Sequence, residues 1–344
     1  MALSSIDPSD SSEVDVEGLT RALVDIDSTT GLEHDVAAWI ARFLGARGYH
    51  VTEQPVADGR FNVFATIDAP AVVLSTHFDC VPPFFPSRLE HGLIFGRGAC
   101  DAKGILAAQV VAAERMRARG ERRVGLLFVA GEERGSDGAH VANTLAPPGV
   151  RHLVNGEPTD NRLGVATRGV LRVRLSATGR AAHSSFPELG ESAIDKLLDA
   201  LMLLRGVALP EDPLLGRTHY TVGLIEGGVA SNVVSPHASA EVFFRLVDDG
   251  ASVRDALRVL EMLVTVEPLF QIPAVRMDAV DGIETAVFPF ATDIPALTRW
   301  GRPLLLGPGS IQVAHTDDEH VAVVELQQAV DLYERVAMQL LAAC

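Results

Sequence analysis

The sequence comprises 344 residues with a formal net charge of −16, and 47% of its residues are hydrophobic. This length favours two domains, and the negative charge argues against nucleic acid and anionic membrane surfaces as partners. The N-terminal stretch MALSSIDPSDSSEVDVEG has neither a basic start nor an apolar core, and no apolar stretch reaches about 18 residues, so we expect a cytoplasmic protein.

Helices and strands alternate in the first part of the chain. Val16, Leu19, Leu23 and Ile26 recur at helical spacing, as do apolar residues between 36 and 44, which predicts two opening helices. The strands FNVFATID and AVVLSTHFD follow, then the helix KGILAAQVVAAERMRARG and the strand RRVGLLFVAG. Buried strands that alternate with helices indicate an α/β fold with a mostly parallel sheet flanked by helices.

The pattern changes at GVLRVRLSATG, where apolar residues alternate with arginines, as in a sheet with one exposed face. The helix ESAIDKLLDALMLL follows, with Ile194, Leu197, Leu198 and Leu201 expected on one stripe. Two strands, a helix capped within SVRD and a final strand near residue 270 complete a small α+β module.

The α/β pattern returns after the module with RPLLLGPG and a last amphipathic helix. The sequence therefore predicts one catalytic domain in two segments, residues 1–167 and 279–344. Residues 168–278 form the inserted α+β domain.

Histidine and acidic residues occur at or near the carboxyl ends of the predicted strands. They are, in chain order, His77, Asp79, Asp101, Glu132, Glu133, Glu157 and His315. In open α/β sheets ligands bind at this edge, so we expect these side chains to converge on one crevice. Imidazole and carboxylate ligands suit Zn, Co or Mn, and five such groups that share one carboxylate can hold two ions.

Glu132 and Glu133 are adjacent at one strand end. Neighbouring residues there point in different directions, so one glutamate can bind a metal while the other acts as a general base toward water. A single HxD or GEE motif is weak and more often marks a solvated loop. The complete set is far more specific.

The motifs together resemble a known family. STHFDCV, GRGACDAKG, VAGEERGSDGA, NGEPT, RAAHSS and GPGSIQVAHTDDEHV occur in this order over nearly the whole chain. They resemble the dinuclear metallohydrolases that include aminoacylase, acetylornithine deacetylase and succinyl-diaminopimelate desuccinylase. GPGSIQVAH and GEPT are most similar to the acetylornithine deacetylase branch. The resemblance implies that the inserted module is a lid through which the chain forms homodimers.

The resemblance implies two divalent metal ions, with Zn as the first choice and Co or Mn as alternatives. The resemblance also assigns His77 and Glu157 to one ion, Glu133 and His315 to the other, and Asp101 to both. The remaining histidines are interpreted as surface or turn residues, namely His34, His50, His91, His140, His152, His219, His237 and His320. Cys80, Cys100 and Cys344 are too few and too widely spaced for a disulfide framework, so we assign them no chemistry.

The resemblance also implies roles around the metal ligands. Asp79 would orient a ligand histidine, and Glu132 would be the general base. His183 of the lid would reach a partner's active site and stabilise an oxyanion, while Asn232 and Arg245 would contact the substrate. The alternatives are turn residues for His183 and Asn232, and for Arg245 an arginine paired with an acid on the lid.

The predicted function is that of a two-metal amidohydrolase that removes an acyl group from an N-acyl amino acid. Acetyl is the first choice of acyl group, and a substrate similar to N-acetylornithine is an example. A metallo-exopeptidase or dipeptidase that acts on short peptides is the alternative within the family. A catalytically silent metabolite-binding relative is disfavoured because every expected ligand and the base are present. The sequence departs from the family pattern at two places: Ile105 replaces a usual glycine, and ETAVFPFATDIPAL leaves little room for the usual connecting helix. The second departure shortens a segment near the crevice and bears on substrate preference.

Overall fold

The described residues, 15–57 and 59–343 of this computed structural model, form two compact units. The N-terminal stretch considered for a signal peptide, apart from its last residues, and Cys344 lie outside them. Unit 1 takes its described residues from Met1–Val165, Met277–Ala286 and Thr292–Cys344, and unit 2 comprises Ala166–Arg276 and Val287–Ala291. None of the described helices is both long and apolar enough to cross a membrane.

The regular elements of the described residues are α-helices and strands, with a few short 3-10 turns. The helices are α1 (Val16–Val24), α2 (His34–Ala46), α3 (Lys103–Ala118), α4 (Asp137–Thr144), α5 (Ala193–Leu204), α6 (Ala251–Leu257) and α7 (Val323–Ala342). The strands are β1 (His50–Pro55), β2 (Phe61–Thr66), β3 (Val72–His77), β4 (Arg88–Glu90), β5 (Leu93–Phe95), β6 (Val124–Val129), β7 (His152–Asn155), β8 (Leu163–Thr167), β9 (Gly169–Thr178), β10 (Glu211–Asp212), β11 (Gly216–Arg217), β12 (His219–Gly227), β13 (His237–Leu246), β14 (Thr265–Ile272), β15 (Val275–Arg276), β16 (Thr285–Phe288), β17 (Arg302–Leu305) and β18 (His320–Ala322).

The main sheet of unit 1 has the strand order β1-β2-β6-β3-β7-β17-β8. Its middle strands β6, β3, β7 and β17 run parallel to one another, whereas the outer pairings in this order are antiparallel. The carboxyl ends of the parallel strands therefore meet at one edge. The predicted fold class is confirmed.

Residues of the parallel strands point alternately into two hydrophobic cores. Val72 and Leu74 of β3 pack in the core built with α1, α2, α3 and α7. Val73 packs in a second core with α4 and Trp300. Since successive side chains of a strand point to opposite faces, helices cover both faces of the sheet and hold its edge in a fixed position.

The opening helix confirms the predicted periodicity and adds a cap. Asp15 precedes α1, and its side chain accepts a hydrogen bond from the Gly18 N–H at 3.0 Å. Leu19 and Leu23 are buried, while Ile26 lies beyond the end of the helix. The sequence does not predict β1, because a strand in which only Gln54 is buried lacks an apolar pattern.

Unit 2 is built on an antiparallel sheet with the order β12-β13-β9-β14, and α5 and α6 share one hydrophobic core with it. The alternation predicted for β9 is confirmed, since Leu171, Val173 and Leu175 are buried. The predicted cap of α6 is wrong. This helix begins at Ala251 after Gly250, whose φ of 82° lies in the left-handed region that favours glycine.

The stripe predicted for α5 is wrong in part. Leu197 is buried, together with Ala193, Ala200 and Leu204, whereas Leu198 is 51% exposed and Ile194 is 36% exposed. The helix carries apolar residues on two faces, and periodicity alone does not tell which face meets the core. The larger residues of the second face remain on the surface of unit 2.

Candidate active site

His77 is the last residue of β3, at the carboxyl end of a completely buried strand. Its Nε2 lies 2.9 Å from Asp101 Oδ1. Its Nδ1 lies 3.0 Å from the backbone carbonyl oxygen of Asp79 and 3.4 Å from the Asp79 carboxylate. A proton on Nδ1 would leave Nε2 free to bind a metal. The geometry therefore fits a ligand histidine held by Asp79.

Asp79 connects His77 to the paired glutamates. Its carboxylate accepts hydrogen bonds from the backbone N–H of Glu132 at 3.0 Å, from that of Glu133 at 3.2 Å and from the Thr30 hydroxyl at 2.9 Å. Burial opposes the charged form, but the contact with His77 and these donors hold the pKa of Asp79 below its usual range. One carboxylate thus orients two parts of the site.

Glu132 and Glu133 begin a short 3-10 turn directly after β6. The chain bends at Gly131, whose φ of 77° favours glycine. Glu133 Oε1 lies 2.8 Å from His315 Nε2, whereas Glu132 belongs to neither cluster of candidate ligands. Burial raises the pKa of Glu132 well above its ordinary value, and the nearby carboxylates add to the effect. Adjacent positions thus place the two acids in different surroundings.

Two clusters of candidate metal ligands share Asp101. One consists of His77, Asp101 and Glu157, the other of Asp101, Glu133 and His315, and within each cluster the ligand atoms lie within 4.8 Å of one another. Asp101 Oδ1 faces His77, and its Oδ2 lies 3.3 Å from His315 Nε2. A carboxylate with one oxygen toward each histidine can serve two ions at once.

The charges of this donor set fit a pair of divalent cations. Glu157 is buried, and its Oε1 has no hydrogen-bond partner among the described residues. Burial, with the Glu132 carboxylate nearby, raises the pKa of Glu157 well above its ordinary value. Crowding several buried carboxylates is costly unless cations neutralise them. The unpartnered oxygen of Glu157 therefore fits a metal ligand.

Asp293 is a buried acid beside the site, and its position there is not predicted by the sequence. It lies in the segment between β16 and β17, where the chain returns from unit 2 to unit 1. The described residues of this segment form a 3-10 turn and no α-helix. The Ser136 side chain faces Asp293, but no hydrogen bond of ordinary geometry reaches either carboxylate oxygen. Burial raises the pKa of Asp293 to about 6. The only signal in the sequence is an acid within the apolar stretch FATDIPAL.

The residues assigned to the lid all lie in unit 2. His183 and Asn232 are exposed neighbours, because the Ser184 N–H donates to the Asn232 carbonyl oxygen at 3.0 Å and His183 bridges to Val233. Arg245 is half-buried near the end of β13. It has no ion pair among the described residues, so the alternative of an acid partner on the lid finds no support.

Among the described residues, Cys80, Cys100 and the remaining histidines show no sign of metal binding. Cys80 and Cys100 are free and buried, and burial raises the pKa of the Cys80 thiol to about 11. The eight other histidines are exposed except His152 and His320, which are partly buried. None of these residues belongs to a candidate ligand cluster of the described chain.

Several known peptidases are similar to this chain. The sequence profile of peptidase family M20/M25/M40 matches residues 73–339. A peptidase M20 domain-containing protein of Schizosaccharomyces pombe is 36% identical over 93% of this chain and 83% of its own. A probable carboxypeptidase of Aspergillus terreus is 39% identical over 92% and 84%. The solved structure of a tripeptidase from Staphylococcus aureus, 21% identical, has a TM-score of 0.79 over 95% of this chain and 99% of its own.

Proposed function

The chain belongs to the M20/M25/M40 peptidase family, and on this premise we propose that it is a two-metal hydrolase that cleaves an amide bond next to a free carboxylate. One observation carries the proposal. Two clusters of candidate ligands share Asp101, and Glu132 lies outside both clusters. A catalytically silent relative has no need of a complete ligand set together with a separate, partly buried acid.

We assign one ion to His77 and Glu157, the other to Glu133 and His315, and Asp101 to both. Zn²⁺ is the proposed ion because imidazole and carboxylate suit it, with Co²⁺ or Mn²⁺ as alternatives. Such ions, when bound, lower the pKa of water and polarise a carbonyl oxygen.

Glu132 is the proposed general base. Its carboxylate would take a proton from the attacking water and deliver it to the leaving amide nitrogen, so that the amine departs without negative charge. Glu133 cannot take this part while its Oε1 contacts His315. Asp79 holds both residues by their backbone N–H groups, which keeps the base at a constant position relative to the ligands.

Two substrate classes are consistent with this chemistry. Peptides with a free C-terminus are our first proposal, because a relative 39% identical to this chain is named a probable carboxypeptidase. N-acyl amino acids are the second, because GPGSIQVAH and GEPT resemble the acetylornithine deacetylase branch. Both reactions release an amino acid whose carboxylate was already free. The shared feature is the group that the enzyme must recognise.

Arg245 is the proposed partner of that carboxylate. Its guanidinium packs over the Phe243 ring, 5.1 Å from the centroid. Burial and the charge of Arg168 lower its pKa, and no described acid neutralises it. A half-buried arginine without a counter-ion is suited to a carboxylate, which it can bind through two parallel hydrogen bonds.

We expect dipeptides and N-acetyl amino acids with a free carboxylate to be hydrolysed and their C-terminal amides to be poor substrates. Arg245→Ala should lower kcat/KM for the free acids by about 10- to 100-fold, mostly through KM, since one charge-assisted interaction is lost. Rates of dipeptides and of N-acetyl amino acids, measured side by side with Zn²⁺ present, also decide between the two substrate classes.

The matched control for Arg245 is Arg172→Ala on β9 of the same sheet. Arg172 already pairs with Glu241 at 3.1 Å and is exposed, so its removal should leave kcat/KM unchanged. Equal wild-type efficiency on acids and matched amides would remove the role of Arg245. No hydrolysis of any member of the panel by metal-loaded protein would contradict the proposed function itself.

A homodimer through unit 2 is part of the proposal. Leu198 and Met202 lie four residues apart on the outer face of α5, and Met202 is 63% exposed. Leu224 and Ile225 are exposed on β12, the edge strand of the described sheet. Exposed large apolar residues and an open sheet edge are typical of a protein interface, and the partner implied by the resemblance is a second copy.

His183 is proposed to complete the partner's active site. Its Nδ1 accepts a hydrogen bond from the Ser185 N–H at 3.1 Å, which leaves Nε2 to donate to an oxyanion. We expect His183→Ala to lose activity and to regain part of it when mixed with inactive Glu132→Gln under subunit exchange. Some mixed dimers then hold one site with both residues intact.

The mixing experiment requires two comparisons. Each variant incubated alone under the same conditions should stay inactive, and subunit exchange should be verified with labelled protein. Exchange without recovery would exclude sharing of the site between subunits. Full activity of His183→Ala by itself would show that this histidine is only a turn residue.

A further inference from the structure

A buried ion pair outside the candidate ligand set lies next to Asp101. Arg97 is 2% exposed and Glu319 has no exposed surface, and Arg97 Nη1 donates to Glu319 Oε2 at 2.6 Å. Neither residue belongs to a candidate ligand cluster. Buried ion pairs seldom stabilise a fold more than apolar residues of equal volume would, which makes another role worth testing.

The second oxygen of Glu319 holds the loop that carries Asp101. Oε1 accepts hydrogen bonds from the backbone N–H of Gly98 at 2.9 Å and from those of Cys100 and Asp101 at 3.2 Å each. The Glu319 backbone carbonyl also accepts from the Gly96 N–H at 3.1 Å. Hydrogen bonds to a charged acceptor are stronger than neutral ones, so one carboxylate determines the path of this loop.

Glu319 also belongs to the loop that carries His315, a residue of the second ligand cluster. Glu319 follows His315 by four residues, in the same loop before β18. His315 itself is nearly half exposed, and its φ of 65° is unusual for a residue other than glycine. Glu319 thus connects the loop of Asp101 to the loop of His315, and both loops supply the same cluster.

We propose that Glu319, paired with Arg97, is a positioning residue that orients Asp101 between the two metal sites. Asp101 can serve both clusters only while Oδ1 faces His77 and Oδ2 faces His315. A rotation of its backbone would turn one oxygen away. This inference rests on the proposed function, because it concerns the binding of two metal ions.

Glu319→Gln tests the proposal because it keeps the shape of the side chain but removes its charge. We expect a folded protein whose affinity for the more weakly bound Co²⁺ falls by about 10- to 100-fold, the usual effect of losing a group that orients a ligand. The visible absorption spectrum of the Co²⁺-loaded variant should also change. Activity should return in part at high Co²⁺ concentration, which a loss of fold would not allow.

Trp300→Phe is the matched control for a general loss of stability. Trp300 is fully buried in the second core and its Nε1 donates to the Ala142 carbonyl oxygen at 3.1 Å. The control should lower Tm yet keep wild-type Co²⁺ affinity and spectrum. If Glu319→Gln does not fold, Arg97→Lys, which keeps the positive charge, is measured in its place and should weaken Co²⁺ binding in the same direction.

Two outcomes separate this inference from the proposed function. Wild-type Co²⁺ stoichiometry, affinity and spectrum in the folded variant would overturn the positioning role and leave the proposed function intact. Wild-type protein that binds no metal ion would instead contradict the proposed function, whatever the variants do.

Discussion

Glu132→Gln is expected to lower kcat by about 10²- to 10⁴-fold while the protein keeps its fold and both metal ions. The substitution removes a general base without touching a residue of either ligand cluster. Its backbone N–H bond to Asp79 does not depend on the side chain and is retained. Turnover with a C-terminally free dipeptide, together with metal analysis of the same preparation, checks the prediction.

Glu133→Gln is the control for this prediction, one residue away on the same turn. Because Glu133 Oε1 lies 2.8 Å from His315 and belongs to the second cluster, its loss should weaken one metal ion. Part of the activity should return with added metal. If Glu132→Gln loses metal while Glu133→Gln stays fully active, the two roles are assigned in the wrong order.

Asp101→Asn is expected to reduce turnover to background and to weaken both metal ions, each by more than about 100-fold. Asp101 is the only residue common to the two clusters of the described chain. Removing its charge therefore affects both sites, and losing a direct ligand costs more than losing a group that orients one. Isothermal titration with Zn²⁺ and with Co²⁺ measures the two affinities.

Asp293→Asn is the matched control for Asp101→Asn. Asp293 is similarly buried and, like Asp101, acts electrostatically on Glu132 and Glu157, but it belongs to neither ligand cluster. It should retain two ions, which would show that a lost ligand, and not a change in local charge, explains the effect. Two tightly bound ions in Asp101→Asn would contradict the bridging assignment.

Residue type and strand position predict that His77, Glu132 and Glu133 follow strands whose carboxyl ends lie at one edge of the sheet. His77 ends β3 and Glu132 and Glu133 follow β6, two neighbouring parallel strands whose carboxyl ends meet at one edge of the sheet. That these residues follow strands can be predicted from the order of elements along the chain, whereas the pairing of β3 with β6 is defined by the folded sheet. The exact ligand partners do not follow from it.

Residues that act through distant partners were not predicted. Glu319 contacts the loop of Asp101, 218 residues earlier in the chain. Asp293 lies between β16 and β17 and interacts electrostatically with His77. In the sequence Glu319 stands in a polar stretch and Asp293 in an apolar one, and neither has a spacing that suggests a site. Their significance comes from burial and from lost or gained hydrogen-bond partners, which only the folded chain defines.

By itself the sequence determined the local features of this protein: the helical and strand periods and the residue types able to bind metals. Those features depend on neighbours a few residues apart. Tertiary structure decided the order of strands and the side of α5 that is buried. It also decided which histidine each Asp101 oxygen faces, and that Arg245 has no ion pair among the described residues. These depend on contacts between distant segments, where burial and electrostatics act through space and not along the chain.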